Sequence, residues 1–257
     1  MLKEGADMIR GVYLLPNLFT MGNLFCGFFA IISAVKGDFA LAATAVVVAN
    51  LFDILDGKVA RMMNATSRFG MEFDSLADLV SFGVAPALLI FLWSLSSFGR
   101  LGWLAAFLFV ACGALRLARY NIQAETSDKG TFNGLPIPAA ASMAATTVLI
   151  CEHLGATGIE SNVILLLLCY GLAFLMVSNI KYPAFKESIL SGRAPFVALV
   201  MMAVTFIVIA AEPQISLFAL AFIYTFSGPV KFLLQLTGLL KKRTQGAEEK
   251  SVPLDSN

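Results

Sequence analysis

Asp53, Asp56, Asp74 and Asp78 are the residues of this chain best suited to chemistry, because they are carboxylates lodged in otherwise apolar, helix-length stretches. An ionised side chain at membrane depth costs on the order of 2.5 to 3.5 kcal/mol, so acids retained there mark a function. Asp53 and Asp56 are three residues apart and Asp74 and Asp78 four apart, so each pair projects from one helix face. Two such faces can converge. Four converged carboxylates repel one another unless cations sit among them, and carboxylate oxygens suit hard divalent ions. One or two Mg²⁺ or Mn²⁺ ions are the expected cofactor. The same acids could instead line the proton or cation pathway of a transporter. Gly57 and Ala60 leave open backbone on the same helix, and Arg61 puts a guanidinium at its end. That company suits a diphosphate held between metal ions and an arginine.

The elements that carry these residues are set by composition. Of 257 residues, 58% are hydrophobic and 14% charged, and the mean hydropathy is +0.82. These values lie far outside soluble composition. A spanning helix needs roughly 20 mostly apolar residues, and eight such stretches are expected, near 17–35, 39–62, 74–98, 102–122, 135–154, 161–180, 195–211 and 213–236. Threading eight spans leaves Lys36 and Arg100 as the basic loop residues on one side, with all other lysines and arginines on the opposite side. By the positive-inside rule that opposite side is cytoplasmic, and both termini and the acidic site belong to it. The expected molecule is an all-α, multi-pass protein of the cell (inner) membrane. Its catalytic domain covers 17–240, a short amphipathic segment at 1–16 precedes it, and a polar, disordered tail at 241–257 follows.

The pattern Asp53-x-x-Asp56-Gly57-x-x-Ala60-Arg61, eight further residues, then Gly70-x-x-x-Asp74-x-x-x-Asp78 resembles the complete signature of the CDP-alcohol phosphotransferases. The resemblance implies a helical core of at least six spans, a homodimer, and transfer of a substituted phosphate from a CDP-linked donor to an alcohol with release of CMP. It also implies roles. Asp53, Asp56, Asp74 and Asp78 would hold the metal ions, and Asp78 would double as general base. Gly57, Ala60, Arg61 and Ser67 would contact the CDP part of the donor, with Asn17 and Thr20 completing the donor site.

Segments outside the signature bear on the acceptor. Pro16-Asn17-Leu18-Phe19-Thr20-Met21-Gly22-Asn23, Arg116-Leu117-Ala118-Arg119-Tyr120-Asn121 and Phe132-Asn133-Gly134-Leu135-Pro136-Ile137-Pro138 are similar to the membrane-embedded phosphatidylserine synthases of bacteria and archaea. The donor would then be CDP-diacylglycerol and the acceptor L-serine, whose carboxylate needs a positive partner in a site dense with aspartates. Arg116 and Arg119 could supply it and Asn121 a further polar contact, although both arginines could equally be anchors at the membrane surface. Glycerol 3-phosphate or inositol phosphate remains an alternative acceptor. Membrane lipids are expected partners and nucleic acid is not. Cys26, Cys112, Cys151 and Cys169 are scattered singly and read as buried apolar residues, and the lone His153 as an interfacial one.

Overall fold

The computed structural model describes residues 2–63, 67–124, 131–155, 163–183 and 211–250. Helix α1 (Leu2–Val35) turns at Gly37 into α2 (Phe39–Met62). Helix α3 (Arg68–Asp78) continues through a π-helical stretch, Leu79–Val84, into α4 (Ala85–Trp93). A 3₁₀ turn leads to α5 (Arg100–Ala124), followed by strand β1 (Thr131–Asn133), α6 (Ile137–His153), α7 (Val163–Val177), strand β2 (Lys181–Pro183) and α8 (Pro213–Lys250).

Among the described residues, five helical segments are long and apolar enough to cross a membrane: Leu15–Val35, Phe39–Met62, Arg68–Trp93, Arg100–Ile122 and Pro213–Leu234. They correspond to the first four expected spans and the eighth. The fifth and sixth expected spans are shorter helices, α6 of 17 and α7 of 15 residues, and the seventh lies outside the described residues. An exact count of eight is therefore not established. The first helix runs unbroken through Pro16, and its apolar span is Leu15–Val35. Two boundaries differ from expectation. The third span begins at Arg68, because the Ser67 hydroxyl caps it by accepting the Gly70 N–H at 2.9 Å. The last helix continues to Lys250, so the first part of the expected tail is helical.

The bundle is apolar on its outside and small inside. Leu18, Phe25, Phe28, Phe107, Leu167 and Phe174 are exposed, whereas Ala30, Ala42, Ala43, Ala49, Ala85, Ala140, Ala141 and Ala144 are buried. In lipid no hydrophobic force draws helices together, so small interior residues that let backbones approach do this work instead. Helix α2 lies along α1 on one side and α6 on the other, and α8 packs on α6. Asn50 Nδ2 ties α2 to α6 by donating to Ser142 Oγ at 3.0 Å.

At the end of the bundle that carries the aspartates, a two-stranded clasp holds α6 and α7. Strand β1 pairs antiparallel with β2, with Phe132 opposite Tyr182. Gly134 then donates its N–H to Ile180 O, and Leu135 to Leu175 O, each at 2.9 Å. The Tyr182 side chain is fully buried and donates to Thr225 O on α8 at 3.0 Å. Burial pushes its phenol up to about 12, so it remains a neutral donor at physiological pH. At the opposite end Trp93 Nε1 donates to Glu152 at 2.8 Å, and His153 lies 3.8 Å from Glu212.

Gly134 is required twice over: its φ is +84°, and a Cβ there would overlap the Met176 carbonyl oxygen. Gly134→Ala should destabilise the protein by at least about 1–2 kcal/mol from the left-handed backbone alone. Thermal melting in detergent checks this, and an unchanged melting temperature would mean the clasp is dispensable.

Candidate active site

Three elements build the site. Asp53 and Asp56 lie in the last turns of α2, and Asp74 lies in α3, which returns alongside. Each offers one oxygen, and these oxygens lie within 4.8 Å of one another. Asp56 is buried, and Thr20 Oγ1 of α1 approaches its Oδ2 at 3.1 Å and the Pro16 carbonyl at 3.2 Å. Asp74 Oδ1 is buried with no hydrogen-bond partner among the described residues. Three convergent carboxylates, met by a neutral hydroxyl and including an unpartnered oxygen, form a donor set that fits a divalent cation.

Asp78 stands outside that group. It is 8% exposed, and Asn23 Nδ2 of α1 donates to its Oδ1 at 3.0 Å. Two further details hold this pair together. Ser81 Oγ donates to the Asn23 carbonyl at 2.9 Å, and Gly27, one turn beyond Asn23, lets α1 lie directly on the π-helical stretch. A Cβ at Gly27 would sit 2.6 Å from Ser81 Cα. The π stretch itself has a local cause, since Pro86 has no N–H to continue the ladder and Ala85 bonds five residues back to Val80 O.

Beside the aspartates lies a cleft of about 100 Å³, lined by Asn17, Thr20, Asp56, Gly57, Ala60, Ser67, Gly70 and Asp74 among others. Five of the six residues expected at the donor site therefore share one cavity with two of the aspartates. Gly57 opens onto empty space, with nothing within 4 Å of a built Cβ, so a bound group can approach its backbone closely. Arg61 is the exception. It is exposed, does not line the cleft, and its Nε donates to Gly57 O one turn back at 2.9 Å.

The residues expected to bind serine separate into two kinds. Arg116 is 7% exposed, its Nε has no hydrogen-bond partner among the described residues, and Asp78 and Tyr224 are among its electrostatic neighbours. Arg119 instead reaches the clasp, where Nη1 donates to Val177 O at 3.4 Å. Asn121 Nδ2 donates to Ser75 Oγ at 3.0 Å, which places it behind Asp74. Sequence reasoning passed over Asn23 as a site residue. The signal was present in Asn17, Thr20 and Asn23, polar residues at three-residue intervals in an otherwise apolar helix.

The sequence model of the family described as CDP-alcohol phosphatidyltransferase matches residues 13–177, and this chain belongs to that family. Members of the family generally depend on a divalent metal, in keeping with the buried aspartate cluster. The chain is 37% identical over 239 residues to the CDP-diacylglycerol–serine O-phosphatidyltransferase of Helicobacter pylori, covering 93% of this chain and 99% of that one. It is 40% identical over 183 residues to the Bacillus subtilis protein of the same name, covering 70% and 97%. It is 37% identical over 171 residues to the archaetidylserine synthase of Methanothermobacter thermautotrophicus, covering 66% and 69%.

The tight contact of Gly27 with Ser81 is what brings Asn23 to Asp78. Gly27→Ala should push α1 off the π stretch at a cost of about 1–3 kcal/mol and lower turnover more than donor affinity. Steady-state kinetics on the purified variant checks this, and unchanged turnover would show that the helix contact does not position Asp78.

Proposed function

We propose that this chain transfers the phosphatidyl group of CDP-diacylglycerol to the hydroxyl of L-serine, giving phosphatidylserine and CMP. The observation that carries this reading is the coincidence of three convergent carboxylates with the Gly57, Ala60 and Ser67 cleft, in a chain of this family. The names of the relatives support CDP-diacylglycerol and serine as substrates. An acceptor with a phosphate would call for a denser basic cluster than Arg116 and Arg119 provide.

The residues divide the work as follows. Asn17, Thr20, Gly57, Ala60 and Ser67 seat the CDP part, and Arg61 swings from its own helix to the diphosphate. Arg116 receives the carboxylate of serine, while Arg119 and Asn121 act one layer behind by fixing the clasp and Ser75. The serine hydroxyl gives its proton to Asp78, and its oxygen bonds to the phosphorus that bears the diacylglycerol. The bond from that phosphorus to the bridging oxygen breaks, and CMP leaves. Two Mg²⁺ or Mn²⁺ ions held by Asp53, Asp56 and Asp74, with Asp78 completing the set, would offset the charge that builds on the diphosphate. We place the site and both termini on the cytoplasmic side of the cell membrane, on the asymmetry of the basic residues, and propose a homodimer surrounded by membrane lipids.

Purified protein should release CMP only when CDP-diacylglycerol, L-serine and Mg²⁺ or Mn²⁺ are all present, and a chelator should abolish the release. Release that requires glycerol 3-phosphate or inositol phosphate instead of serine would overturn the choice of acceptor. Asp78→Asn, which keeps shape but removes the base, should lower turnover by at least about 100-fold while CDP-diacylglycerol still binds. Full turnover in that variant would remove Asp78 from the mechanism.

A further inference from the structure

Asn23 has an unusual position for a polar side chain. It is fully buried in α1, one of its N–H groups is committed to Asp78 at 3.0 Å, and its Oδ1 is buried without a hydrogen-bond partner among the described residues. The orientation of the amide is not arbitrary. Turning it over would set Oδ1 against the Asp78 carboxylate, so the carboxylate fixes the N–H towards itself and the oxygen away from that bond. A buried acceptor left unmade is expensive, and a charged donor is the partner that most rewards it. The main chain does not release the residue either, because its carbonyl is engaged by Ser81 Oγ and Gly27 locks the helix on the same face.

The chemistry of the acceptor supplies such a donor. Serine carries three groups: a hydroxyl that must reach Asp78, a carboxylate that suits the buried Arg116, and an ammonium on the carbon next to the one bearing the hydroxyl. With the hydroxyl at Asp78, an ammonium one carbon away is within reach of Asn23, the residue bonded to Asp78. Building on the serine reading above, we propose that Asn23 is a specificity-determining residue of the acceptor site: its N–H holds the Asp78 carboxylate in place, and its Oδ1 accepts a hydrogen bond from the ammonium of an amino-alcohol acceptor. Arg116, Asp78 and Asn23 then match the three polar groups of serine one to one. An acceptor without an amine leaves Oδ1 unmet, and the site rejects it for that reason.

The test compares L-serine with 3-hydroxypropionate, which keeps the hydroxyl and carboxylate but lacks the amine. On the unaltered protein, 3-hydroxypropionate should inhibit with a constant at least about tenfold above the KM for serine; equal binding overturns the assignment without recourse to any variant. In Asn23→Leu, chosen to keep the volume, and in Asn23→Ala, the KM for serine should rise at least about tenfold. The inhibition constant of 3-hydroxypropionate and the KM for CDP-diacylglycerol should stay within about twofold, and kcat should fall because Asp78 loses its donor. Equal weakening of serine and its amine-free analogue, or an unchanged KM for serine, would show that Asn23 serves Asp78 alone. If the unaltered protein releases no CMP with serine, the functional reading fails first, and this assignment falls with it.

Discussion

Carboxylates gathered at the end of a helix bundle in lipid repel one another strongly, because little water lies between them to screen the charge. Asp53, Asp56 and Asp74 are nonetheless drawn to within 4.8 Å, with Asp78 close behind. The protein meets two of them with neutral donors from α1, Thr20 at Asp56 and Asn23 at Asp78. Such donors hold the carboxylates in place without cancelling their charge. Carboxylates gathered in this way fit a divalent cation, and in the function proposed above the cleft beside them takes the diphosphate.

The remainder of the fold can be understood as what it takes to hold that arrangement still. Alanines between α1, α2, α4 and α6 bring backbones close enough for short side chains such as Thr20 and Asn23 to reach across. Gly27 does this most acutely, laying α1 on the π-helical stretch just past Asp78. That stretch is where a helix bearing Pro86 absorbs its missing hydrogen bond, and it lies where the position of Asp78 matters most. The β1–β2 clasp and the buried Tyr182 close the same end by tying α6, α7 and α8 together. The aspartates, the closest helix contact and the clasp thus collect at one end of the bundle, whereas Trp93 with Glu152 and His153 with Glu212 finish the other end with ordinary polar pairs.

Much of the site was legible in the sequence because its geometry is local. Helical spacing alone places Asp53 with Asp56 on one face, and an acid in an apolar stretch is conspicuous. Asn17, Thr20, Gly57, Ala60 and Ser67 line one cleft. What could not be read was set by contacts between helices. Asn23 looks like any polar residue in a span until α3 supplies Asp78 opposite it. Arg119 and Asn121 sit within a few residues of Arg116 in sequence, yet helical rotation turns one to the clasp and the other to Ser75. Hydropathy placed the third span too late, because an apolar run does not reveal where a cap such as Ser67 starts the helix.

If the aspartates form a metal site rather than a proton path, they bind Mn²⁺. Electron paramagnetic resonance of the purified protein titrated with Mn²⁺ in the presence of CDP-diacylglycerol should reveal two bound ions in the unaltered chain. Asp74→Asn should lose that binding while the helical content is retained. Absence of stoichiometric Mn²⁺ binding in the unaltered protein, or undiminished binding in Asp74→Asn, would contradict the account.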